Sequence, residues 1–182
     1  MAFPFEPALN APRATRVQAL GRLAVRLWDQ ALQPICLNCR TGPESNHGLC
    51  EKCLQLISLN ATCCEICARP LTQNLVCGQC QKIPPFFDRA LTPLLYVDPV
   101  DRFLCGLKYR EQFSFARFAA GVMTNHALKT GQKAPDMICP VPMTSKTLRK
   151  RGFNQSAFIG QLIAWQLGIP MSSNLILKTR DT

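Results

Sequence analysis

The chain has 182 residues, 47% hydrophobic and 18% charged, with a formal net charge of +10. That length allows one ordinary domain, or a small module joined to a modest α/β core, and excludes two full-sized domains; the apolar content excludes a disordered polymer, and no sustained heptads support a coiled coil. Eleven cysteines, nine of them between Cys36 and Cys80, point to a local metal or redox module rather than a disulfide framework.

Residues 1–12 carry three prolines and read as a loose tail. Residues 13–32 place Val17, Leu20, Ala24, Leu27 and Ala31 at alternating three- and four-residue steps, which predicts an amphipathic helix whose use is packing. Its Arg16, Arg22 and Arg26 also leave open a transit peptide or a membrane-surface helix, although Gly21 weakens both. No basic region is followed by an apolar stretch and a small-residue cleavage site, and no run approaches the roughly 20 apolar residues of a membrane span. The chain therefore reads as cytoplasmic, where clustered thiols hold metal more often than they form disulfides.

Four Cys-x-x-Cys knuckles follow: Cys36 with Cys39, Cys50 with Cys53, Cys64 with Cys67, and Cys77 with Cys80. One such turn points two sulfurs at one centre, and two turns complete the tetrahedral S₄ shell of a closed zinc site. The spacing predicts two structural Zn²⁺ ions in a double zinc ribbon over residues 36–81. A thioredoxin-like pair needs a single Cys-x-x-Cys opening a helix, which four knuckles fit badly. Cys63 could replace Cys64 as a ligand, but the two-residue spacing favours Cys64. His47 could compete for zinc and otherwise reads as a solvated loop residue. Cys105 and Cys139 lie in apolar segments and are expected in the core.

Lys82-Ile-Pro-Pro-Phe reads as a stiff connector and a domain boundary, with residues 1–35 as tail and first helix and residues 86–182 as an α/β domain. Within it, residues 90–97 predict a strand, and Asp98-Pro99 opens a helix with Val100, Phe103, Leu104 and Leu107 on one face. A helix over 114–129, closing at Gly131, turns Phe115, Phe118, Ala119 and Val122 inward; His126 is expected at its core edge. Residues 137–143 predict a second strand, a polar basic loop comes next, and 154–167 form a helix stopped by Gly168 and Pro170. Strands alternating with helices predict an α/β fold with a parallel sheet.

Charge is unevenly placed. Residues 36–80 are balanced, and eight zinc-bound thiolates would make that module acidic, whereas residues 81–182 hold 14 basic against 6 acidic residues, most densely at Lys146, Arg149, Lys150 and Arg151. Without further context, such a run is also a plain solvated turn.

The segment from Asp136 through Cys139-Pro140-Val141-Pro142 to Arg149-Lys150-Arg151-Gly152-Phe153-Asn154-Gln155 resembles the competence protein F (ComF) family. The double ribbon, Tyr96, Leu107-Lys108-Tyr109 and the terminal Leu177-Lys178-Thr179-Arg180-Asp181-Thr182 agree in order. The resemblance implies a type I phosphoribosyltransferase-like domain, an association with single-stranded DNA uptake in natural transformation, and competence-machinery proteins as partners. It further implies that Arg149, Lys150, Arg151 and Gly152 bind the pyrophosphate of phosphoribosyl pyrophosphate (PRPP), a Mg²⁺-dependent ligand, beside a helix N-terminus at Asn154, with Gly152 allowing close approach of the backbone.

The acidic pair and Thr-Thr-Gly loop that such transferases use for ribose and its 5′-phosphate do not occur in the 182 residues. The α/β domain is therefore expected to be incomplete, the chain to be a C-terminally truncated copy, and PRPP chemistry to be lost or impaired, with no catalytic residue assigned. The alternative is a non-enzymatic zinc-ribbon protein that binds partner proteins or single-stranded DNA.

Overall fold

The computed structural model describes residues 35–41, 48–73, 75–131 and 133–180. The expected tail and amphipathic helix of residues 1–32, and His47, lie outside the described residues.

The same turn is built twice. Arg40 N donates to Cys36 O at 3.0 Å and Ala68 N to Cys64 O at 2.9 Å, and the residue closing each turn is left-handed, with φ of 57° at Arg40 and 56° at Ala68. In each ribbon the second knuckle starts a short helix: Cys50 precedes α1 (Glu51–Leu54) and Cys77 precedes α2 (Gly78–Lys82). Helices of one turn are unstable alone, so their cysteines must be held by something else.

The ribbons differ in what surrounds them. Cys36, Leu49, Cys53 and Ile57 belong to one core with Val100, Phe103, Leu107, Phe115 and Phe118, whereas Cys64, Cys77 and Cys80 form a small cluster with Ile66, Leu71 and Val76. The connector leaves Ile83 and Phe86 exposed.

The strand expected over 90–97 is not formed. The segment pairs at one antiparallel bridge, Leu59 with Leu94, held by Asn60 N to Pro93 O at 2.9 Å and Leu95 N to Ser58 O at 3.1 Å. The buried Asn60 amide then donates to Ala68 O at 2.8 Å and Thr92 O at 3.1 Å, tying the second ribbon to this segment. The strand expected over 137–143 likewise reduces to one parallel bridge, Ile138 with Met171. Pro93, Pro140 and Pro142 have no N–H, so neither segment can sustain a ladder. Among the described residues there are bridges and no sheet.

Helices follow the apolar periodicity more closely. α3 (Val100–Arg110) buries Val100, Phe103 and Leu107; Asp98 does not cap it but pairs with Arg102 one turn on. α4 (Ser114–Lys129) buries Phe115, Phe118, Ala119 and Val122. His126 lies half-buried at its edge, as expected. A fully buried side chain such as Phe118 or Leu107 contributes about 1.5–3 kcal/mol, so these stripes position everything outside them.

The basic stretch is not a loop. α5 (Ser145–Arg151) begins at Thr144, whose hydroxyl accepts from Thr147 N, and ends at Gly152 with φ of 78°. Arg, Lys and Leu are good helix formers, and the Thr cap and glycine stop bracket them. α6 (Gln155–Leu167) packs against α4 and ends at the left-handed Gly168. At Gly160 a Cβ would come within 3.3 Å of Ile138 Cγ2 and 3.4 Å of Met171 Sδ, so this glycine lets α6 lie directly on the bridged pair. Cys105 is exposed, contrary to expectation, because it lies on the side of α3 opposite the Val100, Phe103 and Leu107 stripe; Cys139 is only half-buried.

Candidate metal centres and the basic surface

Two groups of four thiols stand where the spacing put them: Cys36, Cys39, Cys50 and Cys53, and Cys64, Cys67, Cys77 and Cys80. In each group the four sulfurs lie within 4.8 Å of one another. Sulfurs about 2.3 Å from a tetrahedral zinc are about 3.8 Å apart. Cys39 Sγ and Cys50 Sγ are 3.8 Å apart, and Cys67 Sγ and Cys77 Sγ 3.7 Å. Cys63 belongs to neither group; its backbone bridges Pro70.

The thiols are unequal. Hydrogen bonds from Thr41 hold Cys39 down to about 6, and the backbone N–H of Cys67, then that of Cys77, holds Cys64 down to about 6. Burial pushes Cys53 and Cys80 up to about 12. Outer donors point at sulfur, with Cys77 N 3.3 Å from Cys64 Sγ and Asn38 Nδ2 3.5 Å from Cys53 Sγ, the arrangement that steadies thiolate ligands. An S₄ set of this size fits Zn²⁺, which would bring all eight thiols to thiolates and neutralise part of that charge. A zinc held so is structural, because four thiolates close each set and among the described residues no further ligand joins either.

Arg149, Lys150 and Arg151 occupy the last turn of α5, where cations complement the helix dipole. Arg149 and Lys150 are exposed; Arg151 is half-buried, its guanidinium carbon 5.5 Å from the centroid of the Tyr109 ring. Gly152 has a φ of 78° and no protein atom within 4 Å of a notional Cβ, so within the protein the left-handed turn is what favours glycine there. At the start of α6, the Asn154 oxygen accepts from Ser156 N at 2.9 Å and Ala157 N at 3.3 Å. These two amides are thus capped by the protein's own side chain. Gln155 Nε2 is buried with no hydrogen-bond partner.

Sequence reasoning missed a second cationic group. Arg40, Arg102 and Arg110 line a cleft of about 490 Å³ between the first knuckle and α3, together with Asn38, Tyr109 and Gln112. Arg40 and Arg110 stand 70 residues apart in sequence and belong to different motifs, so no local pattern joins them. No described helix is long and apolar enough to cross a membrane.

The double zinc ribbon domain family matches residues 27–81. The chain is 31% identical over 157 residues to DNA utilization protein YhgH of Salmonella typhimurium, covering 81% of this chain and 68% of that protein. It is 29% identical over 154 residues to the Escherichia coli K12 protein of the same name, with the same coverage. Against competence protein F of Haemophilus influenzae it is 28% identical over 152 residues, covering 81% of this chain and 66% of that protein. The chain thus spans about two thirds of the length of these relatives. No solved structure matches it. Paired S₄ clusters, the ordered motifs after them and this similarity place the chain in the competence protein F (ComF) family.

Proposed function

We propose that the protein handles single-stranded DNA during uptake or utilisation, as a zinc-stabilised binding scaffold whose basic face grips the phosphate backbone. The observation that carries this reading is the cationic helix end: Lys146, Arg149 and Lys150 are exposed on α5, which contains no acidic residue, and Arg151 lies over the exposed Tyr109 ring. Like charges one turn apart, as at Lys146 and Lys150, disfavour a helix by about 0.2–0.5 kcal/mol unless an anion offsets them. The relatives named for DNA utilization and competence support the same direction. In this reading residues 86–182 belong to a phosphoribosyltransferase-like domain, residues 36–81 are the ribbon, and competence-machinery proteins are the partners.

Filter binding of a 20-nucleotide oligo(dT) to the zinc-loaded chain across 50–200 mM salt tests it. Neutralising three or four phosphates predicts a slope of log affinity on log salt of about −2 to −3. No retention at 50 mM, or retention that ignores salt, would overturn the reading.

A second reading keeps Arg149, Lys150, Arg151 and Gly152 as a site for Mg²⁺-PRPP. The order of Pro140-Val141-Pro142, α5 and the α6 start favours it, whereas the Asn154 cap already uses the Ser156 and Ala157 amides. Calorimetric titration with Mg²⁺-PRPP is expected to give weak binding or none, and micromolar affinity would restore the transferase reading.

A further inference from the structure

The cleft between the first knuckle and α3 is explained neither by the metal centres nor by the basic helix. Among the described residues its lining includes Arg40, Arg102 and Arg110 and no carboxylate. Arg102 turns to Asp98, Nη2 to Oδ2 at 3.2 Å, which leaves Arg40 and Arg110 to supply the positive charge. Both are exposed.

Arg40 is informative by comparison. The equivalent position in the second ribbon is Ala68, with the same left-handed backbone, but Ala68 is 4% exposed whereas Arg40 reaches solvent at the cleft. The turn accounts for the φ at both positions; it does not account for a guanidinium at one of them. The other wall carries Tyr109, 70% exposed, with Arg151 of α5 on its ring. Gln112 folds back over α3 so closely that a Cβ at Gly106 would lie 2.1 Å from its Oε1, and Asn38, whose Nδ2 turns to Cys53 Sγ at 3.5 Å, is also in the lining.

Two arginines for phosphate, an exposed ring for stacking and a carboxamide for a base edge are the groups with which proteins hold an unpaired nucleotide. The volume falls within the range of ligand-sized pockets. We propose that this cleft is a nucleotide subsite, in which one base of a single-stranded nucleic acid stacks at Tyr109 while its flanking phosphates lie on Arg40 and Arg110. The inference rests on the DNA reading above and goes beyond it, because it makes the first zinc knuckle one wall of the binding site.

Cys105, an exposed residue whose side chain hydrogen-bonds with Tyr96, also lines the cleft and supplies a reporter independent of affinity. The zinc-loaded chain would be alkylated with N-ethylmaleimide with and without saturating oligo(dT), and the rates at Cys105, Cys63 and Cys139 followed by mass spectrometry. Oligo(dT) is expected to slow Cys105 about fivefold or more and to leave Cys63 unchanged. In filter binding, Tyr109→Ala should weaken oligo(dT) about fivefold or more, Tyr109→Phe should retain affinity, and Arg40→Ala should flatten the salt slope by about 0.7. These side chains are exposed, and two zinc ions per variant chain would confirm an intact fold. Retention of oligo(dT) with no protection of Cys105 and unchanged variants would overturn the cleft while leaving the DNA reading intact; no retention at all would remove both. Equal protection by polyglutamate would mean a site for acidic chains in general and would overturn the nucleotide assignment.

Discussion

Asn154 holds Val141. The Asn154 side-chain N–H donates to the Val141 carbonyl at 2.9 Å while its oxygen caps α6, so one amide fixes the 137–143 segment and the helix that lies on it. Capping by Asn is worth about 1 kcal/mol, and the bond to Val141 adds a comparable amount. Asn154→Ala should lower stability by about 1–2 kcal/mol in urea unfolding, and Asn154→Asp, which keeps the cap and loses the donor, by less. Equal losses for the two variants would show that the Val141 bond contributes nothing.

Metal content follows directly from the sulfur geometry. The purified chain should carry two zinc ions, Cys63→Ser should still carry two, and Cys64→Ser should lose one. Atomic emission on the dialysed proteins reads this, and loss of zinc from Cys63→Ser would mean that the neighbouring thiol is the ligand.

Removing one site should not equal removing the other. Cys53 shares a core with Phe103, Leu107 and Phe118, whereas Cys80 packs only in the small second cluster. Cys53→Ser should therefore lower the cooperative melting of the helices by several degrees, and Cys80→Ser should leave their circular dichroism at 222 nm nearly intact. Indistinguishable melts would contradict the shared core.

His126 ties stability to pH. Burial, then the nearby Arg89 and Lys129 charges, hold its imidazolium below the ordinary value of 6.5. The folded chain thus binds this proton less readily than the unfolded one, so the contribution is complete above pH 6.5 and is lost as pH falls through the lower folded value. The urea midpoint should fall between pH 7 and pH 5, and His126→Gln should reduce that fall. A variant with the full wild-type slope would assign the effect to other groups.

Much was legible without coordinates. Cysteine spacing named both ligand sets, because a four-residue turn constrains two sulfurs whatever surrounds it. The buried residues of α3 and α4 were readable from the 3.6-residue period, since a helix satisfies its own backbone and needs only one apolar face, whereas α6 was marked only by its stops at Gly168 and Pro170 and its buried Gln155, Gly160 and Ala164 form no apolar stripe. Residues 90–97 and 137–143 misled for the complementary reason: a strand depends on partners far away in sequence, and prolines at 93, 140 and 142 withhold the donors. The helix at 145–151 was hidden by its charge, which suggests a loop although its residues favour a helix.

By itself, then, the sequence determined the two groups of four cysteines, the inward faces of α3 and α4, and the family. Tertiary structure alone decided that the first ribbon is part of the main core and the second is not, that Cys105 faces solvent, and that Arg40 meets Arg110 and Tyr109 across a cleft. The physical reason is range. Local spacing sets what a turn or helix can hold, whereas burial and charge convergence depend on which distant surfaces the hydrophobic core brings together.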